Sequence, residues 1–390
     1  MRALLLLFFT LANLFAFEQK TDIGVSGLAY SDYNNEILTH GSSKITLNND
    51  YFQTDANIEF IYSNAYKERR YLLLNELYIS KEFDDYSVSL GKKIKYWGEL
   101  EGFNISDVYN QKNYLKDPFD KSAKYGSWGG DISRYFDENS LEIGLRFYEE
   151  NLNFPTNNTP YTPFLMYYDK ELRLSDERYT PTLYVKANFL SDSYVDSEIS
   201  IILLHGYDTK RSYIPISATT LSQYAYRVNK ALFLSHIIYN DTIFKTELAY
   251  TDVIDDVQMS DYTQVSAGVE QSFYEVVGTA DITLFGEYYR YLYSDNDKLK
   301  NVDISEVYDN DLFVALRLSF NDVRSSEFKV GILQDIQKDE NVIKATLKTR
   351  VYDSFVLEGE YLQIRSFAHN TILSRFSNSS RFTLALHYTF

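Results

Sequence analysis

The sequence predicts an all-β fold: an antiparallel transmembrane β-barrel of about eighteen strands, with sixteen as the alternative count. Three observations predict it. From Thr21 onward the dominant period of apolar residues is two rather than 3.6. Short turns and long loops alternate along the chain. Beyond the first twenty residues, no apolar stretch approaches the roughly 18–20 residues of a spanning helix.

Strand candidates run over 21–32, 42–50, 53–63, 70–82, 86–96, 125–135, 139–150, 179–190 and 195–207. They continue over 222–238, 242–252, 260–275, 278–294, 309–320, 325–336, 341–352, 355–367 and 380–390. Many are 11–15 residues long, enough to cross a bilayer when tilted. Strands of a soluble sandwich would average nearer 5–6 residues, and a closed barrel leaves no unpaired edge. Connections after even-numbered strands are short and rich in turn formers, as at 83–85, 240–241 and 353–354. Those after odd-numbered strands are longer, as at 97–124, 151–178, 208–221, 295–308 and 368–379. That asymmetry, short turns on one rim and long loops on the other, is the signature of an outer-membrane barrel.

The strand faces agree. Over 341–352, Ile343, Ala345, Leu347 and Val351 share one parity, and Lys344, Thr346, Lys348 and Arg350 the other. Over 139–150, Leu141, Ile143, Leu145 and Phe147 oppose Glu142, Gly144 and Arg146. A lysine or arginine facing lipid at mid-depth costs roughly 2–4 kcal/mol, so the charged parity belongs to a wet lumen. The chain holds 36 Tyr and 26 Phe, and the tyrosines crowd strand ends, as in EYYRYLY at 287–293. An interfacial aromatic girdle accounts for them.

MRALLLLFFTLANLFAFEQK opens the chain. Arg2 followed by the apolar run 3–16 reads as a secretory signal peptide over 1–16, leaving 17–390 as the barrel. Without Arg2 the remaining chain has 37 basic and 55 acidic residues, a net charge of −18. That excess argues against nucleic acid and anionic lipid as electrostatic partners. With no cysteine there is neither a disulfide framework nor a thiolate metal site.

Catalysis is not indicated. His40, His205, His236, His369 and His387 show no metal-ligand spacing, and phosphate-loop, nucleophile-elbow and dinucleotide fingerprints are missing from the sequence. His205 and His236 sit on apolar parity near strand ends, a place suited to an amphipathic ring. No cofactor or metal is expected.

The informative stretch is 90–130. Lys93 and Lys95 are expected to point inward on a strand that runs into Trp97-Gly98-Glu99, followed by some 28 residues without strong alternation. A loop this long in a compact barrel is usually functional. It either folds into the lumen as a constriction, the favoured reading, or lies outside as a flap. Folded inward, Glu99, Glu101, Asp107, Lys112, Lys116, Lys121 and Lys124 would set the local field. In the hairpin 344–360, a turn at Asp353-Ser354 is expected to set Arg350 opposite Glu358 and Lys348 opposite Glu360. Arg146, Arg317, Lys245, Glu247 and Glu287 also fall on lumenal parity, so the lining is of mixed sign.

The run NELYISKEFDDYSVSLGKKIKYWGE at 75–99, followed by NISDVYN, resembles the large DUF1302-type family of proteobacterial outer-membrane barrels. Glu76, Tyr78, Gly91, Trp97, Gly98, Glu99, Asp107 and Asn110 match its pattern, whereas Lys92-Lys93 and Gln111 depart from it. The resemblance implies a porin-like barrel and no particular substrate.

The chain ends on RFTLALHYTF, with Phe382, Leu384, Leu386, Tyr388 and Phe390 on one parity. That parity is expected to be the lipid face of the closing strand. Its terminal aromatic resembles the signal that the barrel-assembly machinery reads. The expectation is therefore an outer-membrane channel for small polar or charged solutes, in which a homotrimer is one arrangement. A non-conducting barrel serving as adhesin or scaffold is the alternative.

Overall fold

The computed structural model describes residues 16–155, 159–164, 167–192, 195–254, 258–300, 304–369 and 371–390. The expected signal segment, up to residue 15, lies outside the described residues.

Eighteen antiparallel strands form one closed sheet. The first seven are β1 (Ala16–Tyr30), β2 (Glu36–Asn48), β3 (Gln53–Ser63), β4 (Arg70–Glu82), β5 (Tyr86–Lys93), β6 (Ser127–Phe136) and β7 (Asn139–Arg146). Outside the barrel sheet lies β8 (Tyr167–Leu174); β9 (Thr182–Ser191) and β10 (Asp196–Tyr207) resume the barrel. Next come β11 (Ser212–Pro215) and β12 (Thr220–Ala225), then the barrel strands β13 (Arg227–Tyr239), β14 (Thr242–Ile254) and β15 (Tyr262–Val277). The rest are β16 (Ala280–Tyr293), β17 (Asn310–Ser319), β18 (Glu327–Asp335), β19 (Glu340–Tyr352), β20 (Phe355–Ser366) and β21 (Arg381–Thr389). Every strand read from the alternation is present.

The barrel closes where β21 pairs with β1, from Asp22 opposite Thr389 to Tyr30 opposite Arg381. The start of β1 and the end of β21 lie on the short-turn rim, where Asp137, Asn240 and Asp353 adopt positive φ in tight connections. Asn and Asp tolerate that region better than other L residues, because their short polar side chains bond locally. On the long-loop side, β8, β11 and β12 make a small separate sheet, and α1 (Ile372–Phe376) is capped by the Thr371 hydroxyl, which accepts from the Ser374 N–H. No described helix is long and apolar enough to cross a membrane.

The outer wall is apolar: Leu72, Leu90, Ile143 and Leu203 are all exposed. So are Phe382, Leu384, Leu386, Tyr388 and Phe390, while Arg381 and Ala385 on the other parity are buried inside.

The 344–360 hairpin corrects the expected register. The two-residue turn pairs Tyr352 with Phe355, one step from the expected register, and a bulge at Val351 adds a second step, so that Lys348 faces Glu358, Thr346 faces Glu360 and Arg350 faces Val356. One extra residue on a strand is enough to move all the pairs beyond it.

Candidate functional site: a loop folded through the barrel

Residues 94–126, between β5 and β6, fold into the lumen. The root of this loop is fixed by the residues that carried the family resemblance. Glu76 on β4 accepts the Ile94 N–H at 3.1 Å, and Asp107 accepts those of Trp97 and Gly98 at 2.8 and 3.3 Å. Asn110 accepts from the Lys95 N–H at 2.7 Å and donates to the carbonyls of Lys93 and Tyr125 at 2.9 and 3.0 Å. Gly91 has φ of 139°, and a Cβ there would lie 2.3 Å from the Leu77 carbonyl oxygen, so only glycine lets β5 pass β4 at this point.

From that root the loop is tied to strands around the wall. Lys95 lies 3.0 Å from Asp131 of β6 and 2.7 Å from Glu142 of β7, between the rings of Tyr109 and Tyr184. Glu247 of β14 accepts the N–H groups of Glu99 and Ser106 at 3.1 and 3.0 Å. Glu287 of β16 accepts those of Glu101 and Gly102 at 2.6 and 2.8 Å. The Tyr289 hydroxyl takes the Phe103 N–H at 2.9 Å. Lys116 pairs with Glu59 of β3 at 2.6 Å, and Glu101 pairs with Lys329 of β18. Buried backbone donors need partners, and here the wall supplies them as carboxylates.

Below the loop, toward the short-turn rim, lies a cavity of about 740 Å³. Its charged lining is Glu101, Asp117, Asp120 and Lys121 from the loop, with Glu327, Lys329, Lys344, Lys348, Glu358 and Glu360 from the wall. At its upper edge Arg381 reaches Asp117 at 3.0 Å and Glu360 at 2.6 Å, while Lys344 reaches them at 3.4 and 2.9 Å. Burial alone would raise the Asp117 carboxyl. Lys344, Arg381 and the Phe119 N–H outweigh it and hold the group well below the usual carboxylate range. Glu101 behaves likewise: burial is overcome chiefly by Lys121 and Lys329.

On the long-loop side the lumen is filled with apolar side chains. Leu100, Tyr114, Phe154, Tyr161, Ile304 and Phe376 belong to one buried cluster. Beside them lies a pocket of about 70 Å³, whose lining includes Lys112, Lys124, Lys210 and Arg211. Lys121 lines both this pocket and the large cavity, and its Nζ donates to the Leu100 carbonyl at 2.6 Å.

The structure sorts the residues expected to line a pore. Glu101, Lys344, Lys348, Glu358 and Glu360 line the large cavity. Glu99 borders a second one of about 280 Å³ with Lys245 and His236. Lys93 and Arg317 are partly exposed; Lys93 Nζ lies 3.3 Å from Ser89 Oγ, and Arg317 3.5 Å from Glu270. Lys95, Asp107 and Arg146 are anchors: Arg146 is 2% exposed and donates to the Tyr109 carbonyl at 2.6 Å, and Asp107 binds Lys124 at 2.6 Å. Arg350 is exposed beside the bulge, away from the large cavity. His236 corrects another expectation. Its parity with Leu232 and Leu234 is apolar, yet all three face inward, because the lumenal loop gives this part of the wall a dry surface to pack on.

Sequence reasoning passed over Asp117 and Lys329, and named Lys121 only as one of the loop charges. Each lies in an unpatterned loop or on an ordinary polar parity, so their convergence has no local signature.

No model of a known protein family matches the chain, the DUF1302 type included, and no curated protein sequence matches it. Solved structures do. A BenF-like porin from Pseudomonas fluorescens Pf-5 is 8% identical, with TM-score 0.59, over 96% of this chain and 98% of that one. OccK8 (OprE) of Pseudomonas aeruginosa is 10% identical, with TM-score 0.55, over 96% and 97%. OccK2 (OpdF) of the same organism, solved in complex with glucuronate, is 10% identical, with TM-score 0.56, over 96% and 98%. At these identities the likeness is one of fold.

Proposed function

We propose that this protein is an outer-membrane channel for small polar or charged solutes, constricted by the loop 94–126. The observation that carries the reading is the loop itself, anchored to strands on several sides of the wall above a charged cavity of about 740 Å³. Conduction needs a polar path that binds solute only weakly, and the lysines interspersed with carboxylates around the large cavity line the half of it toward the short-turn rim. The porin architecture of the structural neighbours and the motif resemblance over 75–110 support the same reading. On it the protein is no enzyme and needs no cofactor. The apolar parity from Phe382 to Phe390 faces outer-membrane lipid and is the strand the assembly machinery reads, and a homotrimer is the oligomer to look for.

The test is conductance of the purified, folded protein in planar bilayers, with liposome swelling in neutral sugars and in glucuronate, the sugar acid held by one neighbour. Discrete single-channel steps are expected. Membranes silent at all voltages and salts would sink the reading. They would favour a non-conducting barrel that presents its loops to partners, which the apolar packing across the long-loop end also allows.

A further inference from the structure

One lumenal cluster stands on the wall outside the loop and its cavities. Asp22 of β1, His40 of β2 and His387 of β21 offer a carboxylate oxygen and two imidazole nitrogens, all within 4.8 Å of one another. These strands are neighbours, and the cluster sits on the seam where the barrel closes. Gly24 stands in register with His40 on one side and His387 on the other. A Cβ at Gly24 would lie 2.4 Å from His40 Cε1 and 3.0 Å from His387 Nδ1. Its absence lets the two rings converge, with centroids 5.1 Å apart.

The donor set selects a chemistry. Two imidazoles and one carboxylate suit Zn²⁺ and related transition ions, whereas Mg²⁺ and Ca²⁺ prefer all-oxygen sites. The carboxylate is already aimed: Thr389 Oγ1 donates to Asp22 Oδ2 at 2.9 Å, and Oδ1 lies 3.4 Å from His387 Nδ1. An outer hydrogen bond of this kind orients a ligand. Ser26 Oγ lies 3.0 Å from His40 Nε2. The side chains of Asp22 and His387 are 34% and 23% exposed, which leaves room for a water in a fourth position. Lys116, the loop cation acting on His40, has its charge met by Glu59 at 2.6 Å.

We propose that Asp22, His40 and His387 bind one Zn²⁺-class ion on the lumenal wall, and that the ion staples the first two strands to the last. An ion bound only by the closed barrel stabilises it by mass action.

Calorimetric titration of ZnCl₂ into the full-length folded protein in detergent tests this. A one-to-one event is expected in the parent. It should be lost in His40→Gln and His387→Gln, weakened about 10–100-fold in Thr389→Val, and kept in His205→Gln, whose exposed ring bonds Asn229 and Arg227. Zn²⁺ should raise the unfolding temperature of the parent and of His205→Gln, raise that of Thr389→Val less at the same concentration, and leave those of His40→Gln and His387→Gln unmoved. Heat-modifiable migration on gels establishes that each variant is a folded barrel. Absence of binding in the parent, or undiminished binding in the doubly substituted His40→Gln/His387→Gln protein, would overturn the proposal. MgCl₂ matching the ZnCl₂ response would overturn the imidazole assignment.

Discussion

Arg381 Nη2 lies 3.0 Å from Asp117 Oδ2, joining the closing strand to the middle of the lumenal loop. The same nitrogen lies 2.6 Å from Glu360, so one guanidinium satisfies a loop acid and a wall acid together. Bonds to charged groups contribute about 1.5–3 kcal/mol each. Arg381→Ala should therefore loosen the loop by about that amount while Lys344 still holds it. Flickering single-channel currents would show this, and recordings as quiet as the parent's would contradict it.

The amide anchors give a second expectation. Replacing Glu287 by Ala removes the acceptor of two loop N–H groups and should release Leu100, which is fully buried. The cysteine-free chain makes the measurement clean. A Leu100→Cys protein should react slowly with a maleimide, and at least tenfold faster once Glu287→Ala is added.

Lys121 stands between the two cavities. Lys121→Ala deletes its bond to the Leu100 carbonyl and opens the narrow junction. Conductance should rise, by about twofold if that junction dominates the resistance. An unchanged value would place the constriction elsewhere.

Charge selectivity should follow the large cavity. Lys348→Glu places a second acid opposite Glu358 and should move the reversal potential in a KCl gradient toward cation preference. Arg350→Ala, beside the bulge, should leave it unmoved.

Acid should release the loop. Asp117 and Glu101 are both held below their ordinary values when docked. A depressed carboxyl contributes docking energy fully above its ordinary pKa of about 4, and loses it as pH falls through the docked value. Channel properties should be constant above about pH 5 and change below about pH 4. A transition near neutrality would point to other groups.

The strands were legible because lipid allows a single parity of apolar residues on each, and turns such as Asn240-Asp241 mark their ends. The interior was less so. Glu247 and Glu287 read as lining, yet they are buried 2% and 3% exposed acceptors, since nothing local tells a wet inner wall from one covered by a loop. The inward Leu232 and Leu234 misplaced His236 for the same reason. The hairpin register failed by two residues, one at the tight turn that pairs Tyr352 with Phe355 and one at a bulge at Val351, both features of backbone geometry rather than of side-chain pattern.

The carboxylates that receive the loop amides have a consequence for how such a barrel can change over time. Glu247 and Glu287 are matched to particular N–H groups between Glu99 and Ser106. An insertion in that span would strand a buried acid on the wall, and neutralising the acid first would strand the loop. Loop and wall are thus heritable only together: drift in the shape of the lumen must come through paired substitutions across it.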